Sequence, residues 1–371
     1  MMRRVGMIVC MLAALVLTGC SDRLNVEDLT LSLMLGIDLD KDNQLVYFLS
    51  SPVFNKEAAI KSEEIAVHSE TLYQARSKFD LTSTGLTIGG KIQVLLLGKS
   101  LLQHEDWFPL IDIVYRNAKV AVNARVVVVD GPVADIINFH PSDKPRLSLH
   151  ILKLIDTADQ RNITLKTTLQ ELHRQMFEKG VTPSMSEIKK EKAVEVMGTA
   201  LLNERGKYVD KLMLQESALL KILQHKELDE MMFTIAIPEK DELDVIPDNK
   251  LTLTPSTVKT LIKPSYSQGR FRFDITVNIL YSLTERLFPF NVKEERPKLE
   301  RWINEQMEQQ FHSIFDKMQK HRIDPVGLGL YARAYEYQHW KEVQDHWGDA
   351  LADAVINIKV KTEIKSMGPI K

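Results

Sequence analysis

The chain is poor in cysteine. Its 371 residues contain two, Cys10 and Cys20, and both lie in or directly after an apolar N-terminal segment. If that segment is processed as predicted below, no thiol remains for a disulfide, a thiolate nucleophile or a sulfur-ligated metal. An exported protein without disulfides depends on packed hydrophobic cores, and a chain of this length can form them.

Recognisable catalytic and metal-binding motifs are also missing. There is no Gly-x-Ser-x-Gly elbow and, among ten histidines, no His-Glu-x-x-His pair. Asp38-x-Asp40-x-Asp42 resembles the opening of a calcium loop, but Asn43 and Leu49 occupy the positions where glycine and glutamate are needed. These absences predict that the protein is not an enzyme and needs no metal or cofactor.

Net charge is low. The formal charge is −2, and removal of Arg3 and Arg4 with the N-terminal segment would change it to −4. Such a balance gives no general electrostatic reason to bind nucleic acid, so we expect no nucleic-acid partner. The apolar run Val5–Leu17 is shorter than the roughly 20 residues that span a bilayer core.

The N-terminal segment has the features of a lipoprotein signal. Arg3 and Arg4 precede the apolar run, and Leu17-Thr18-Gly19 leads directly to Cys20. This pattern predicts a signal peptide over residues 1–19, cleaved before Cys20, which would then carry a diacylglyceryl thioether and an N-acyl group. An ordinary secretory signal or an uncleaved anchor fits less well, because a cysteine directly follows Thr-Gly. Each buried methylene contributes about 0.8 kcal/mol, so two acyl chains give a stable anchor.

The N-terminal part alternates between strand and helix patterns. The β-branched run 122–129 predicts a strand, and the spacing of apolar residues over 71–82 predicts a helix. A short helix passing into a strand is expected in 23–36, and a loop in 55–70. Gly180, Pro183 and a charge run within 179–192 indicate a boundary that closes an N-terminal α/β domain over residues 20–190.

Two further domains are predicted. A hairpin and a following helix form a small middle domain over 191–240, and the polar stretch 239–249 reads as a linker. The C-terminal domain, 241–371, combines an antiparallel sheet with a long helix over 297–320 that Pro297 opens. The predicted fold class is therefore α+β and multidomain, with mixed and antiparallel sheets, packed helices and three domains in all.

A cluster of aromatic residues lies near the C-terminus, at Tyr331, Tyr335, Tyr337, Trp340 and Trp347. Packing into a satellite of the core is the favoured interpretation, and a patch that docks a partner is the alternative. The run from residue 327 to 332 resembles a dinucleotide fingerprint. It follows a helix rather than a strand, so the sequence does not favour a nucleotide site.

Several motifs together resemble one known family. They are Gly19-Cys20-Ser21-Asp22, Val26-Glu27-Asp28-Leu29, Leu35-Gly36-Ile37-Asp38, Ile323-Asp324-Pro325-Val326-Gly327-Leu328-Gly329, and the later Trp340 and Trp347. In the order of these segments, which extend over essentially its whole length, the chain resembles the Ger(x)C family, the C subunits of bacterial spore nutrient germinant receptors. Ser21 departs from the pattern, since many members carry tryptophan there.

The resemblance implies a mixed α/β fold and a non-enzymatic role in nutrient-triggered germination. It further implies a lipoprotein on the outer face of the spore inner membrane, assembled with a polytopic A subunit and an integral membrane B subunit. Binding of a small-molecule germinant by this subunit stays open. An extracytoplasmic solute-binding lipoprotein, with a cleft between its domains, is the alternative. The candidates for partner docking are Asp324, Pro325, Gly327, Gly329, Tyr335, Trp340 and Trp347.

Overall fold

A computed structural model describes residues 28–54, 57–83, 85–141, 143–226, 231–236, 250–286 and 292–366. The predicted signal peptide, Cys20 and the predicted linker 239–249 lie outside the described residues. Mixed α+β architecture is confirmed, and the described strands form one large sheet, one smaller sheet and a two-stranded pair.

The large sheet has eight strands in the order β10-β9-β8-β7-β6-β2-β3-β4. Its central strands β2, β6, β7 and β8 are parallel, and antiparallel strands extend it at both sides. Strands β1 and β5 form the separate parallel pair. The bounds are β1 Leu29–Leu31, β2 Met34–Leu39, β3 Leu45–Pro52, β4 Ser62–His68, β5 Leu86–Ile88, β6 Val94–Gly98, β7 Arg125–Val129, β8 Ser184–Lys190, β9 Val194–Leu202 and β10 Tyr208–Leu212.

Helices cover both faces of this sheet, because its middle strands β6 and β7 carry apolar side chains on both faces. Successive strand side chains point to opposite faces. Leu95 and Val126 therefore pack on one side, and Leu96 and Val127 on the other, in two separate cores. Continuous apolar runs are typical of such buried parallel strands. The covering helices are α1 Leu72–Asp80, α2 Asp112–Arg116, α3 Val133–Ile137, α4 Leu147–Gln160 and α5 Leu169–Phe177. We call the sheet and these helices the N-terminal body.

The smaller sheet, in the order β11-β12-β13-β14, forms the C-terminal body with the remaining helices. Predicted alternation along 271–279 is confirmed, since its apolar side chains are buried against the long helix. Gln268 and Gly269 both have positive φ, as a tight hairpin turn requires. The bounds are α6 Leu214–Leu223, β11 Phe233–Ala236, β12 Lys250–Ser267, β13 Arg270–Arg286, α7 Val292–His321, α8 Leu328–Tyr335, α9 Tyr337–Val343, α10 Trp347–Ala352 and β14 Val355–Ser366.

Two expectations for the C-terminal body need correction. The sheet is mixed rather than antiparallel, because β14 pairs with β13 in parallel after the helices carry the chain back across the sheet. Helix α7 begins at Val292, so Pro297 lies inside the helix and does not open it. The predicted apolar stripe of α7 is confirmed, from Leu299 to Met318.

Three expectations for the first 200 residues also differ from the structure. The described part of 23–36 contains β1 and the beginning of β2 instead of a helix, and the predicted loop 55–70 contains β4. The stretch 179–192 contains β8, which is paired on both sides. The predicted hairpin at 194–212 is confirmed and its strands continue the large sheet. The three domain limits themselves stay a prediction.

Candidate functional site at the junction of the two bodies

Helix α7 ends in a tight turn that leads the chain into the interior. Arg322 has a left-handed φ of 55°, its N–H donates to the Gln319 carbonyl at 3.2 Å, and the N–H of Ile323 donates to the Met318 carbonyl at 2.9 Å. This pair of bonds is a Schellman motif, which satisfies the free carbonyls of a helix end. The next residue, Asp324, is fully buried as a result.

The Asp324 carboxylate organises the following loop. Its Oδ1 accepts from the Gly327 N–H at 2.7 Å, and its Oδ2 accepts from the Gly329 N–H and the Trp347 Nε1–H, both at 2.8 Å. Gly327, at the N-cap of α8, has no side chain with which to cap the helix. Asp324 takes this role, and its charge is favourable near the positive end of a helix.

Opposing effects act on the ionisation of this side chain. Complete burial raises the pKa of Asp324 above its ordinary value, and the backbone and indole N–H donors act in the opposite direction. Because both oxygens are already engaged, the geometry suits a carboxylate that holds a loop in place, not one that transfers a proton to a substrate.

The same residue joins the two bodies. Its carbonyl accepts from the Thr182 N–H at 2.9 Å, and its own N–H donates to Thr182 Oγ1 at 3.0 Å. Thr182 lies two residues before β8 of the N-terminal body. Close by, a Cβ added to Gly329 would lie 2.4 Å from the Cα of Gly180. The two backbones therefore touch, and only glycine at these positions permits this approach.

Charged side chains surround this contact. Arg333 pairs with Glu178 at 2.6 Å, and Lys179 pairs with Asp345 at 2.5 Å, each across the junction. Exposed pairs of this kind contribute about 0–1 kcal/mol each. The buried hydrogen bonds of Asp324 are therefore the stronger connection between the bodies.

Six of the seven docking candidates are buried, and one is exposed. The hydrogen-bonded cluster described above contains four of them, Asp324, Gly327, Gly329 and Trp347. Tyr335, by contrast, is 71% exposed to solvent. Pro325 and Trp340 are buried, Trp340 under the guanidinium of Arg333. The docking role of all seven stays a prediction. The structure leaves Tyr335 as the member that an approaching protein could contact directly.

A second polar cluster was not found from the sequence. The carboxylate of Glu187, in β8, is fully buried, accepts from the Tyr208 hydroxyl at 2.8 Å and pairs with Lys211 at 3.2 Å. Lys99 and Asp130, which follow β6 and β7, pair with each other at 3.1 Å beside it. One available signal was that a polar residue directly follows each of these apolar strands. The two positive charges of the lysines equal the two negative charges of the carboxylates. The cluster is therefore typical of a structural ion-pair network within the protein.

Replacing Glu187 with glutamine is expected to lower the free energy of unfolding by about 2 kcal/mol, because Lys99 and Lys211 lose one of their two counter-charges and keep only Asp130. Urea denaturation measures this change. The control is Glu195→Gln, at an exposed position on the neighbouring strand β9, which should shift the free energy of unfolding by under about 0.5 kcal/mol. Equal effects of the two substitutions would contradict the assignment of the network.

Metal and membrane features were searched over the same described ranges. No group of three histidine, cysteine or carboxylate side chains there could hold a metal ion. None of the helices in this part of the chain combines the length and apolarity that a membrane span requires.

Fold and site together define a two-body α+β protein whose motif residues form a structural junction. Two family models match it: "Spore germination protein N-terminal domain" over residues 22–190, and "Spore germination B3/ GerAC like, C-terminal" over 197–368. Because these matches cover most of the chain, it belongs to the Ger(x)C family. The members of this family are germinant receptor subunits, and they are not enzymes.

Individual relatives agree with this placement. The chain is 23% identical to spore germination protein B3 of Bacillus subtilis (strain 168) over 370 residues, which cover 96% of each chain. It is also 23% identical to spore germination protein A3 of the same organism, with 97% of each chain covered. The crystal structure of the GerBC protein matches with a TM-score of 0.56 and 18% identity, covering 89% of this chain and 96% of that one. That structure supports the fold.

Proposed function

We propose that the chain is the lipoprotein C subunit of a spore germinant receptor. In this proposal it is anchored through Cys20 to the outer face of the spore inner membrane, and nutrient-triggered germination requires its assembly with the membrane A and B subunits. One observation carries the proposal: the match to the family begins at residue 22, two residues after the predicted lipid-bearing cysteine.

The anchor and the exposed aromatic surface support a docking role. A lipid tether confines the folded bodies near the membrane, which raises the effective concentration of membrane partners without any new contact. Tyr335 and Tyr337 are 71% and 51% exposed, and the ring of Tyr337 stacks on the buried Trp340 at 6.3 Å. Tyrosine on a rigid base is typical of residues that dominate the energy of protein interfaces.

Replacing Cys20 with alanine is expected to release the protein from the spore membrane fraction, because no other anchor is predicted. Spores carrying this variant should respond poorly to nutrients and normally to a surfactant that bypasses the receptor. Germination is followed by loss of optical density. Spores that lack this protein and any paralogue but still respond normally to nutrients would refute the proposal.

Replacing Tyr335 with alanine is expected to reduce co-purification with the A and B subunits at least tenfold, the effect of losing about 1.4 kcal/mol of binding energy. The thermal midpoint should stay within about 2 °C of the parent, because Tyr335 is exposed. Tyr73→Ala is the matched control, since Tyr73 is 66% exposed on the N-terminal body. Equal loss of co-purification in both variants would contradict docking at Tyr335.

A solute-binding lipoprotein remains the second candidate, and one feature favours it. A cleft of mixed polar and apolar lining lies between the two bodies, and its polar residues include Gln175, Lys179, Arg322 and Asp345. Calorimetry of the full chain with amino-acid and sugar germinants tests this function. Binding heat that disappears on Arg322→Gln would support it, and absence of heat for every germinant would refute it.

A further inference from the structure

The N-terminal body contains a second, mainly apolar cavity, separate from the cleft at the junction. It lies between the large sheet and helices α1 and α2, and has a volume of about 70 Å³. Most of its wall is hydrocarbon, from side chains that include Leu35, Leu49, Phe79, Ile92 and Val114. Apolar pockets with a few polar groups are typical of sites for small molecules.

Two hydroxyls in the wall lack a partner among the described residues. Ser32 and Thr87 line the cavity, are 1% and 4% exposed, and Ser32 Oγ and Thr87 Oγ1 each make no hydrogen bond there. A buried hydroxyl without a partner is unfavourable, because it has lost its bonds to water. A ligand with acceptor oxygens would restore both bonds.

A cationic group completes the polar side of the cavity. Arg76, on α1, lines it and remains exposed to solvent. Its Nε donates to the Thr87 carbonyl at 3.0 Å, and within the described part of the chain the other guanidinium N–H groups have no hydrogen bond or ion pair. The Nε bond orients the guanidinium, whose planar fork matches a carboxylate.

We propose that this cavity binds a small aliphatic carboxylate. The alkyl group occupies the apolar interior, and the carboxylate meets Arg76 and the two hydroxyls. Size limits the ligand, because an apolar cavity of roughly 150 Å³ holds benzene, so one of half that volume holds about three or four carbon atoms. A long acyl chain is therefore too large.

An amino acid fits this site less well than the corresponding simple acid. No aspartate or glutamate occurs among the described residues that line the cavity, so an ammonium group would enter without a counter-charge. Asp80 is the nearest acidic group along α1, and its Oδ1 already accepts from the Thr87 N–H at 2.7 Å. Isovalerate and L-valine, which differ by one ammonium group, test this point directly.

The experiment titrates the purified full-length chain in detergent with sodium isovalerate, followed by saturation-transfer NMR and calorimetry. Binding is expected with a dissociation constant on the order of millimolar, as befits a ligand of few atoms. Isovaleramide and L-valine should each bind at least tenfold more weakly. Arg76→Gln should weaken isovalerate binding at least tenfold, and Arg76→Lys should weaken it less.

Two further variants separate ligand binding from packing. Thr87→Val keeps the shape of the side chain and removes the unpaired hydroxyl, so it should weaken isovalerate binding severalfold while raising the thermal midpoint without ligand. Val114→Phe should fill the cavity and abolish binding. The thermal midpoint of the Val114→Phe variant is measured as a control, because it shows whether the variant is folded.

Three outcomes would overturn the inference. They are no binding of isovalerate, equal binding of isovalerate and isovaleramide, and binding that persists in both Arg76→Gln and Val114→Phe. Any of them would show that this cavity is not a carboxylate site. The inference does not depend on the receptor proposal. Isovalerate binding to the purified chain tests the cavity, whereas the germination response of Cys20→Ala spores tests the receptor role, so either can fail without the other.

Discussion

Replacing Asp324 with alanine is expected to lower the free energy of unfolding by at least about 3 kcal/mol. Three buried N–H groups, those of Gly327, Gly329 and the Trp347 indole, would lose their acceptor. Each buried donor left unsatisfied costs about 1–3 kcal/mol. The alanine side chain has no acceptor and also leaves part of the Asp324 site unfilled. Small shifts of the surrounding loop would therefore recover little of the lost free energy of unfolding.

Urea denaturation, followed by tryptophan fluorescence and by circular dichroism, measures the loss. Because Trp347 contacts Asp324, the fluorescence of the folded variant should also change. The matched control is Asp345→Ala, at an exposed ion pair with Lys179 in the same junction, for which at most about 1 kcal/mol is expected. A loss for Asp324→Ala as small as that of the control would show that the carboxylate does not hold the loop.

Replacing Gly329 with alanine tests the contact between the bodies by steric means. Gly329 is helical, and alanine is favoured over glycine in helices by about 1 kcal/mol. Propensity alone therefore predicts stabilisation. The structure predicts the opposite, because the new Cβ would lie 2.4 Å from the Gly180 Cα and 2.8 Å from its carbonyl oxygen. Both contacts are with backbone, so one body must shift.

We expect the Gly329→Ala variant to lose about 3 kcal/mol of stability or more, since rigid overpacking commonly costs 1–3 kcal/mol and the Trp347 bond is disturbed as well. Thermal and urea unfolding measure it. Gly269→Ala is the control, because Gly269 has a φ of 79° and open space around it. That variant should lose about 1 kcal/mol from conformational strain alone. Stabilisation by Gly329→Ala would disprove the close approach.

These two variants bear on function through the relation between the bodies. The receptor proposal requires a subunit that presents its docking surface in a defined orientation relative to its anchor. Asp324 and Gly329 join the two bodies in the interior, whereas Tyr335, in this proposal, would contact the partner at the surface. The Asp324→Ala variant should therefore lose stability, and the Tyr335→Ala variant should lose partner binding at unchanged stability.

Local patterns predicted elements whose residues alternate or repeat regularly. The strand over 271–279 and the apolar stripe of α7 were confirmed because one buried face imposes a period that is visible along the chain. Strand β8 was missed, since its residues Ser184–Lys190 are mostly polar. They occupy the sheet because the side chains of Glu187 and Ser186 find polar partners from other segments, and the backbone N–H of Ser184 donates to Gln175 Oε1.

The direction of a strand depends on the path between elements, which no local pattern records. The alternation of apolar and polar residues over 356–364 predicted a strand, but it did not indicate whether that strand runs parallel or antiparallel to its neighbour. Helices α7 to α10 return the chain to the same edge of the sheet, so β14 enters parallel to β13. Likewise, Pro297 indicated the start of a helix. The helix in fact begins five residues earlier, at Val292, because the residues before Pro297 also adopt the helical conformation.

By itself, the sequence determined the family, the α+β class and the apolar faces, because each follows from patterns that can be seen along the chain. The lipid site at Cys20 stays a prediction of the sequence. Only the tertiary structure decided the roles of the motif around Asp324. Thr182, 142 residues away, supplies its hydrogen bonds, and Gly180 supplies the backbone contact with Gly329. Asp324, which the sequence offered as a docking candidate, is buried. Burial depends on which distant segments pack together, and a local pattern does not record this.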